Sequence, residues 1–445
     1  MLFTLEALPA EEGDCLLLHW GTRKGGKQPT IALIDGGPGL VYDKHLRPRL
    51  DDLVKNLGIP QLTLELVMVS HMDSDHIVGI KKLLRALRRE IDDNAPAASR
   101  TIRMTRLWLN VFNDVLNDSV DSYYKTLTGK LQASVDSKPS PKLIEELEKK
   151  FRDKDEDEEE AAFDARNVAA VLAGHGEGRS VRDDHRFLLE QGQTATLNHP
   201  FAGDGGSATL ITLEKTPKPL KLKNLKITIT GPSDQEIEAL QKEFDKYIEE
   251  KGLTAEAVLA AYADKSVKNL SSIVCYVEFG TGAAKKTMLL TGDARGDLIL
   301  EGLKKKKLLK GGKLKVDLLK VPHHGSDNNA TAEFFQQITA DTYVLSGDGQ
   351  HGNPERETLG WITEARGKDA EFDLVLTYDI AHIDDNRKKE YEKKQKRKKP
   401  EKQVPWNHDT MSLATFFAEK EAAGYKFTKQ FGARKVDLGD EKVDY

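Results

Sequence analysis

The sequence predicts a mixed α/β protein, because short apolar runs typical of strands alternate with stretches of helical periodicity. Between residues 77 and 91 apolar side chains recur at helical spacing. Polar residues directly follow several strand-like runs, and such loops often carry functional groups on a rigid scaffold. The clearest internal strand-like runs are residues 62–70, 225–230, 272–277, 287–290, 316–321 and 342–345.

The remaining elements follow in chain order. Residues 1–70 contain strands and turns, including a buried strand at 32–35 that enters the turn Gly36-Gly37. A second helix is predicted within 234–251, and a last core strand at 427–438.

Composition limits the classes of protein that this chain can be. At 445 residues it is long enough for two domains or for one large domain with insertions. The net charge is −5, so a nucleic-acid partner would need a local basic surface. The two cysteines, Cys15 and Cys275, argue against a disulfide framework and for a reducing compartment.

No targeting or membrane segment is apparent in the sequence. The first 14 residues lack the basic flank of a signal peptide, and no apolar run approaches membrane-spanning length. We therefore expect a cytoplasmic protein with no membrane partner.

Residues 114–205 differ in composition from the rest of the chain. They are rich in charge, and residues 153–160 contain seven acidic residues and one lysine. Helical spacing continues on both sides, which indicates a mostly helical acidic insertion within a domain formed by 1–113 and 206–445. The acidic run is typical of a solvated spacer; binding of a cation or a basic partner is the alternative.

Residues 71–76 carry the strongest functional signal. His71, Asp73, Asp75 and His76 offer four metal ligands within six residues, directly after a strand-like run. Imidazole and carboxylate groups together suit zinc, manganese or iron. Without a cation the two carboxylates would repel each other, so the sequence predicts a metal site.

Other polar side chains also follow predicted strands. Strand ends along one edge of a sheet can converge even when they are far apart in sequence, so we expect a shared site. The side chains in question are Asp35, Asp293, His323, His324 and His351.

On these residues the chain resembles the metallo-β-lactamase fold superfamily, whose hallmark is His-x-His-x-Asp-His after a strand. It is most similar to the nuclease-like domain of the DNA-uptake protein ComEC and its stand-alone bacterial relatives, which have Asp at the third hallmark position, like Asp73 here. The resemblance covers residues 1–113 and 207–385 and implies an αββα metallo-β-lactamase sandwich with a helical insertion. Its further motifs are Gly13-Asp14, Leu33 to Gly37, Thr291 to Ala294 and His323 to Ser326.

The resemblance also implies a centre of one or two divalent metal ions, zinc or manganese. It places His71 and Asp73 on the first metal, and Asp75 and His76 on or facing the second. Asp293 would bridge the two metals. Either His323 or His324 would complete the second site.

One position departs from the superfamily pattern. Members usually have a further histidine between the hallmark and the bridging aspartate, but Thr230-Gly231-Pro232 stands at the expected place. His175, His185 and His199 all fall in the insertion. The departure favours a hard-cation site, such as one for manganese, over a closed zinc site.

The implied chemistry is hydrolysis by a metal-activated water. Asp75 is expected to accept a proton from that water or to position it. His351 orients the substrate or donates a proton to the leaving group, or is a structural loop histidine. We expect Asp35 to hold the metal-binding loop, and Asp14 to be a turn residue, with contact to the site as the alternative.

Residues 387–402 form a basic segment with ten Lys or Arg and three Glu, part of a predicted insertion at 386–405. It would attract phosphates, or it forms a solvated, internally paired helix. Together with the resemblance it favours a phosphodiesterase or nuclease acting on DNA.

Two other functions remain open at this point. One is a hydrolase of a small ester, thioester or lactone at the same metal site. The other is a metal-stabilised subunit of a multi-protein bacterial antiviral defence system, whose protein partners would dock on the helical insertion.

Overall fold

The protein is α/β with two mixed β-sheets, which confirms the predicted class. The computed structural model describes residues 1–96, 99–110, 178, 180–201, 209–238 and 271–445. Most of the predicted insertion at 114–205, and most of the predicted helix at 234–251, lie outside these residues. Within them we find no helix that combines the length and the apolar character needed to cross a membrane.

The elements are numbered in chain order. The strands are β1 (Leu2–Ala7), β2 (Leu16–Gly21), β3 (Thr30–Ile34), β4 (Leu62–Met68), β5 (Ile102–Met104), β6 (Leu107–Trp108), β7 (Leu220–Leu222), β8 (Leu225–Gly231), β9 (Val274–Phe279), β10 (Lys286–Leu290), β11 (Leu314–Lys320), β12 (Ile338–Leu345), β13 (Phe372–Leu376), β14 (Phe427–Phe431) and β15 (Lys435–Asp437). The α-helices whose two ends lie in the described residues include α1 (Arg47–Leu57), α2 (Ser74–Asp92), α3 (Gly296–Lys305), α4 (Ala332–Gln337), α5 (Arg356–Arg366), α6 (Ile380–Gln395), α7 (His408–Met411) and α8 (Leu413–Ala422). A further helical segment occupies residues 180–190.

The chain divides into two compact units. The first contains residues 1–34, 216–231 and 273–445, and the second contains residues 35–215 and 232–272.

Two groups of strands form the first unit. Strands β15, β1, β2 and β3 are antiparallel neighbours. The other group is a sheet of eight strands in the order β14-β13-β12-β11-β10-β9-β8-β7. In that sheet β7 to β10 are antiparallel, whereas β10 to β14 are parallel. The Phe3 and Phe279 rings, 5.3 Å apart between centroids, join the two groups.

The parallel strands position the functional loops of the first unit. Because β10, β11, β12 and β13 run in the same direction, the loops after their carboxyl ends emerge at one edge of the sheet. Helices α3, α4, α5 and α8 cover this sheet through buried side chains such as Ile299, Phe334, Leu359 and Phe417. Burying such a side chain stabilises the fold by about 1.5–3 kcal/mol, so this layer holds the loop bases rigidly.

In the second unit, β4 pairs in parallel with β5 and β6. Helix α2 starts six residues after β4, and the amide N–H of Gly79 donates to the carbonyl of Gly37 over 3.0 Å. A Cβ on Gly79 would lie 1.9 Å from the carbonyl oxygen of Gly36, so only glycine permits this backbone approach. The close approach of Gly79 to Gly36 therefore lets the start of α2 pack directly against the loop that begins at Asp35.

The predicted strand at 427–438 was wrong in one respect, because this region forms two strands, not one. Strand β14 pairs with β13, whereas β15 pairs with β1. Gly432, with a φ of 65°, adopts the left-handed conformation at the turn between them, which breaks the extended run.

Candidate metal centre

Three loops of the first unit bring their polar residues to the same sheet edge. Asp293 follows β10, and its loop meets the next one because the amide N–H of His323 donates to the carbonyl of Gly292 over 3.1 Å. His323 and His324 follow β11. Asp14 comes from the third loop, immediately before β2, where the turn is closed by the N–H of Gly13 donating to the carbonyl of Ala10.

Asp14, Asp293 and His324 form a buried cluster of possible metal ligands. Each side chain offers one ligand atom, and these atoms lie within 4.8 Å of one another. Nδ1 of His324 lies 3.6 Å from Oδ1 of Asp14, and its Nε2 lies 3.6 Å from Oδ1 of Asp293. The three residues are 1–2% exposed, so the cluster is shielded from solvent.

Lys320 adds a positive charge to the cluster. Its Nζ lies 2.9 Å from Oδ2 of Asp14, and both side chains are 1% exposed. Nζ also donates to the carbonyl of Val321 over 3.2 Å. The ammonium group therefore offsets one of the two buried carboxylates, which would otherwise repel each other.

His324 is oriented through one ring nitrogen. Nδ1 forms a 2.9 Å hydrogen bond with Oγ of Ser346, which turns Nε2 toward Asp293. Burial lowers the pKa of His324, which keeps the imidazole neutral. A neutral ring whose second nitrogen is fixed by a hydrogen bond is the form in which histidine binds metal.

His323 occupies a different environment from its neighbour. Its side chain is 31% exposed, and its Nε2 lies 3.6 Å from Oδ2 of Asp293. Its Nδ1 hydrogen-bonds to Oδ1 of Asn329, whose amide nitrogen also donates to the carbonyl of Asp293. The two histidines thus face different oxygens of one aspartate, and only His324 belongs to the buried cluster.

Several residues at these loops have left-handed backbone conformations that are unfavourable for non-glycine residues. The φ angles of Asp35, His323, His324 and His351 are 58°, 47°, 54° and 58°. Each such residue costs about 1–3 kcal/mol and persists only where the surroundings fix it. This strain is typical of functional sites and sets the direction in which each side chain leaves its loop.

The second unit contains the motif at residues 71–76. Asp35 accepts hydrogen bonds from the amide N–H and Oγ–H of Ser70 at 2.6 and 2.7 Å, and its Oδ2 lies 2.9 Å from Nδ1 of His76. Oγ of Ser70 lies 3.1 Å from Nδ1 of His71, and the two imidazole centroids are 4.0 Å apart. The prediction that Asp35 holds this loop is confirmed.

The two aspartates of the motif are more accessible than its histidines. Asp73 and Asp75 have side chains that are 24% exposed, whereas His71 and His76 are buried. Oδ2 of Asp73 lies 3.9 Å from Nε2 of His71, and Oδ2 of Asp75 lies 3.6 Å from Nε2 of His76. Asp75 also lies in the first turn of α2, where a negative charge favours the helix dipole.

His351 lies on the loop after β12. That loop is held by Asn386, whose Nδ2 donates to the carbonyl of Asp348 over 3.1 Å, and by Arg387, whose Nε donates to the carbonyl of Gly352 over 3.0 Å. Gln350 donates to Glu12 over 3.0 Å, which ties the same loop to the one that carries Asp14.

Among the described residues, none of the histidines of the predicted insertion lies in the cluster of possible metal ligands. His175 lies outside them, and His199 is exposed. His185 is buried, and its Nε2 lies 3.1 Å from the carbonyl of Ala195. Thr230, at the expected ligand position, is buried at the end of β8.

The cluster in the first unit fits a divalent metal ion. Two carboxylates and an imidazole are a donor set for zinc, manganese or iron. Two buried carboxylates beside one lysine leave a negative charge that a cation would neutralise.

The sequence predicts Asp14 as a turn residue, with contact to the site as the alternative, and does not identify Lys320. A signal for Asp14 was present, since Gly13-Asp14 belongs to the set of shared motifs. Lys320 gave none, because a lysine at the end of a strand-like run normally faces solvent.

The chain matches no family model and no curated protein. The site is therefore interpreted from its own geometry.

Proposed function

We propose that this protein is a metal-dependent hydrolase of phosphodiesters, with DNA as the substrate class. We further propose that its two mixed sheets form the αββα sandwich of the metallo-β-lactamase superfamily. The observation that supports the activity best is the convergence of Asp14, Asp293 and His324 in a buried cluster.

In this proposal one divalent ion would be held by Asp14, Asp293 and His324 of the first unit. Zinc and manganese both suit a site of carboxylates and an imidazole. When bound, such an ion supplies a water of lowered pKa and stabilises negative charge on a phosphoryl oxygen.

The protein side chains have separate roles in the proposed reaction. Asp35 and Ser346 orient the imidazoles of His76 and His324 through their Nδ1 atoms. Lys320 balances the charge of Asp14. His323 is partly exposed beside Asp293, so it can contact a substrate oxygen.

Asp75 and His351 are the proposed proton-transfer groups. Asp75 is partly exposed beside His76 and can accept a proton from the attacking water. His351 can donate a proton to the leaving oxygen, and its loop is anchored firmly enough to hold it in place.

Phosphodiesters are favoured over neutral esters by the charge near the His351 loop. Helix α6, which holds that loop, carries Lys388, Lys389, Lys393 and Lys394. Cationic side chains next to a metal centre favour an anionic substrate.

The test uses the full chain with bis(p-nitrophenyl) phosphate and with DNA, in added Mn²⁺ or Zn²⁺. We expect hydrolysis of both, and we expect Asp293→Asn to remove it together with metal binding measured by calorimetry. Asp297→Asn is the matched control, because Asp297 is 60% exposed and pairs with Arg295. If the wild-type chain binds neither metal, or hydrolyses p-nitrophenyl esters but no phosphodiester, the proposal is wrong.

A further inference from the structure

We propose that the lysine-rich side of α6, together with residues 396–399, binds the phosphate backbone of nucleic acid and guides it to the loop that carries His351. This inference rests on the proposed function, since it names the surface that would present a polymeric phosphodiester to the site. The basic segment lies outside the residues that carry the family resemblance.

Helix α6 is fixed against the loop that carries His351. Arg387 donates to the carbonyls of Gly352 and Met411 over 3.0 and 2.7 Å, and its guanidinium lies 3.4 Å from Asp384. Asn386 donates to the carbonyl of Asp348. Arg387 is therefore a structural anchor, and the remaining basic residues of the segment extend from a rigid start.

Some of the basic side chains of α6 lie on the same side of the helix as its contact with the His351 loop. Residues three and four apart lie on one side of a helix, so the side that begins at Asn386 and Arg387 continues through Glu390, Lys393 and Lys394. Asn386 and Arg387 contact the loop that carries His351. Lys393 and Lys394 therefore continue along the same side of α6 from that contact.

Only some of the cations in the basic segment are paired with acidic side chains. Lys388 and Lys393 have acidic partners on the helix, Glu392 and Glu390, at 3.9 and 3.1 Å. Lys394, Lys396, Arg397 and Lys399 are exposed and have no acidic group within 4.0 Å among the described residues. The segment is therefore not an internally neutralised helix, and its free cations suit a partner with repeated negative charges.

The chain that follows α6 packs back against the helix. The amide N–H of Val404 donates to Oε1 of Gln395 over 2.9 Å, and the rings of Tyr391 and Trp406 are in edge contact at 5.6 Å. The guanidinium of Arg387 lies 5.9 Å from the Trp406 ring. These contacts hold the cations on a defined surface, so phosphate binding does not first require the segment to fold.

The experiment compares two triple variants of the full chain. Lys396→Gln, Arg397→Gln and Lys399→Gln together remove three unpaired cations from the surface. The control is Lys304→Gln, Lys307→Gln and Lys310→Gln, which makes the same change in charge at exposed positions. These lie at and beyond the end of α3, about 15 Å along the helix from its start near Asp293.

DNA affinity is measured by fluorescence anisotropy over a range of salt concentrations. We expect the surface variant to bind about tenfold or more weakly at 100 mM salt, and its logarithmic salt slope to fall by about two to three. Hydrolysis of bis(p-nitrophenyl) phosphate should stay at the wild-type rate, and the control should match the wild type in both assays.

The outcomes separate this inference from the proposed function. Loss of DNA binding in the surface variant of a chain that hydrolyses no phosphodiester would support the surface and overturn the activity. A surface variant with the wild-type salt slope, in a chain that does hydrolyse DNA, would overturn the surface alone. A wild-type chain that binds no DNA would also overturn it.

Discussion

Nζ of Lys320 and Oδ2 of Asp14 form a buried ion pair of 2.9 Å, with both side chains 1% exposed. The pair joins the last residue of β11 to the turn before β2, and Asp14 also belongs to the metal-ligand cluster. A buried charge that loses its partner costs about 3–5 kcal/mol. Lys320 and a metal ion would therefore act on the same carboxylate.

The first prediction concerns Lys320→Met. Without metal, the variant should lose about 3–5 kcal/mol of unfolding free energy, because the Asp14 carboxylate stays buried without the ammonium group. A bound cation also offsets that carboxylate, so saturating Mn²⁺ should raise the melting temperature of the variant more than that of the wild type. Thermal unfolding with and without Mn²⁺ measures both effects.

Lys315→Met is the matched control for this change. Lys315 lies on the same strand, but it is 61% exposed and pairs with Asp341 at the surface, so we expect a change within about 0.5 kcal/mol. Equal metal-induced shifts in the wild type and Lys320→Met would show that the metal does not bind at Asp14.

The second prediction concerns Asp35→Asn. The change removes the anionic acceptor of Ser70 and the partner of Nδ1 of His76. We expect metal affinity to fall about 10–100-fold, because the orientation of a ligating imidazole depends on such a partner. Competition titration with a chelating dye measures the affinity. Asp43→Asn is the control, since Asp43 is 59% exposed and pairs with Lys82, and an unchanged affinity in Asp35→Asn would exclude His76 as an oriented ligand.

The strand ends of this site could be predicted from the sequence because their signals are local. An apolar run followed by glycine and polar residues marks both the strand and the loop that it carries, as at Leu290 to Asp293. Structure places β4, β8 and β10 within two residues of the predicted bounds. The contact between Asp35 and the motif at 71–76 joins two such strand ends, and the expectation for it came from the resemblance, not from local signals.

Pairings between distant strands could not be predicted in this way. Lys320 ends an apolar run, and only the approach of the turn before β2 to the end of β11 decides that its ammonium group meets Asp14 and not water. The environments of His323 and His324 were also beyond the sequence, because they depend on Ser346, on the loop after β12, and on how the His323 loop folds back to bring Asn329 against His323. Only tertiary contacts give these two adjacent histidines different environments.

The third prediction concerns His185, which is buried in the helical segment at 180–190. Burial lowers the pKa of His185 to about 4, against the ordinary histidine value of 6.5. Below pH 6.5 the unfolded chain therefore binds a proton that the folded chain does not, so stability falls as the pH drops from about 6.5 to 4. The loss attributable to His185 is about 3 kcal/mol.

His185→Gln should remove that part of the acid sensitivity, since a glutamine amide can still donate to the carbonyl of Ala195 but does not titrate. Urea unfolding at about pH 7.5 and about pH 5 provides the comparison. His382→Gln is the control, because His382 is 51% exposed. The same acid-induced loss in His185→Gln and wild type would contradict the assignment.

The fourth prediction concerns Glu355, whose backbone N–H donates to the carbonyl of Gly325 next to the two site histidines. Desolvation, together with Asp327 nearby, raises the pKa of Glu355 to about 7, against the ordinary glutamate value of 4.5. Between these values the unfolded chain has released a proton that the folded chain retains. Stability should therefore fall as the pH rises from about 4.5 to 7, the opposite direction to the His185 effect.

Glu355→Gln keeps an acceptor for the amide N–H of Asp327 but removes the titrating group. We expect the variant to be more stable than the wild type above about pH 7 and to lack the decline between pH 4.5 and 7. Glu357→Gln, at an exposed position on the same helix, is the control and should reproduce the wild-type profile. If the stability of Glu355→Gln and of the wild type varied with pH in the same way, the Glu355 carboxyl would already be ionised in the folded protein.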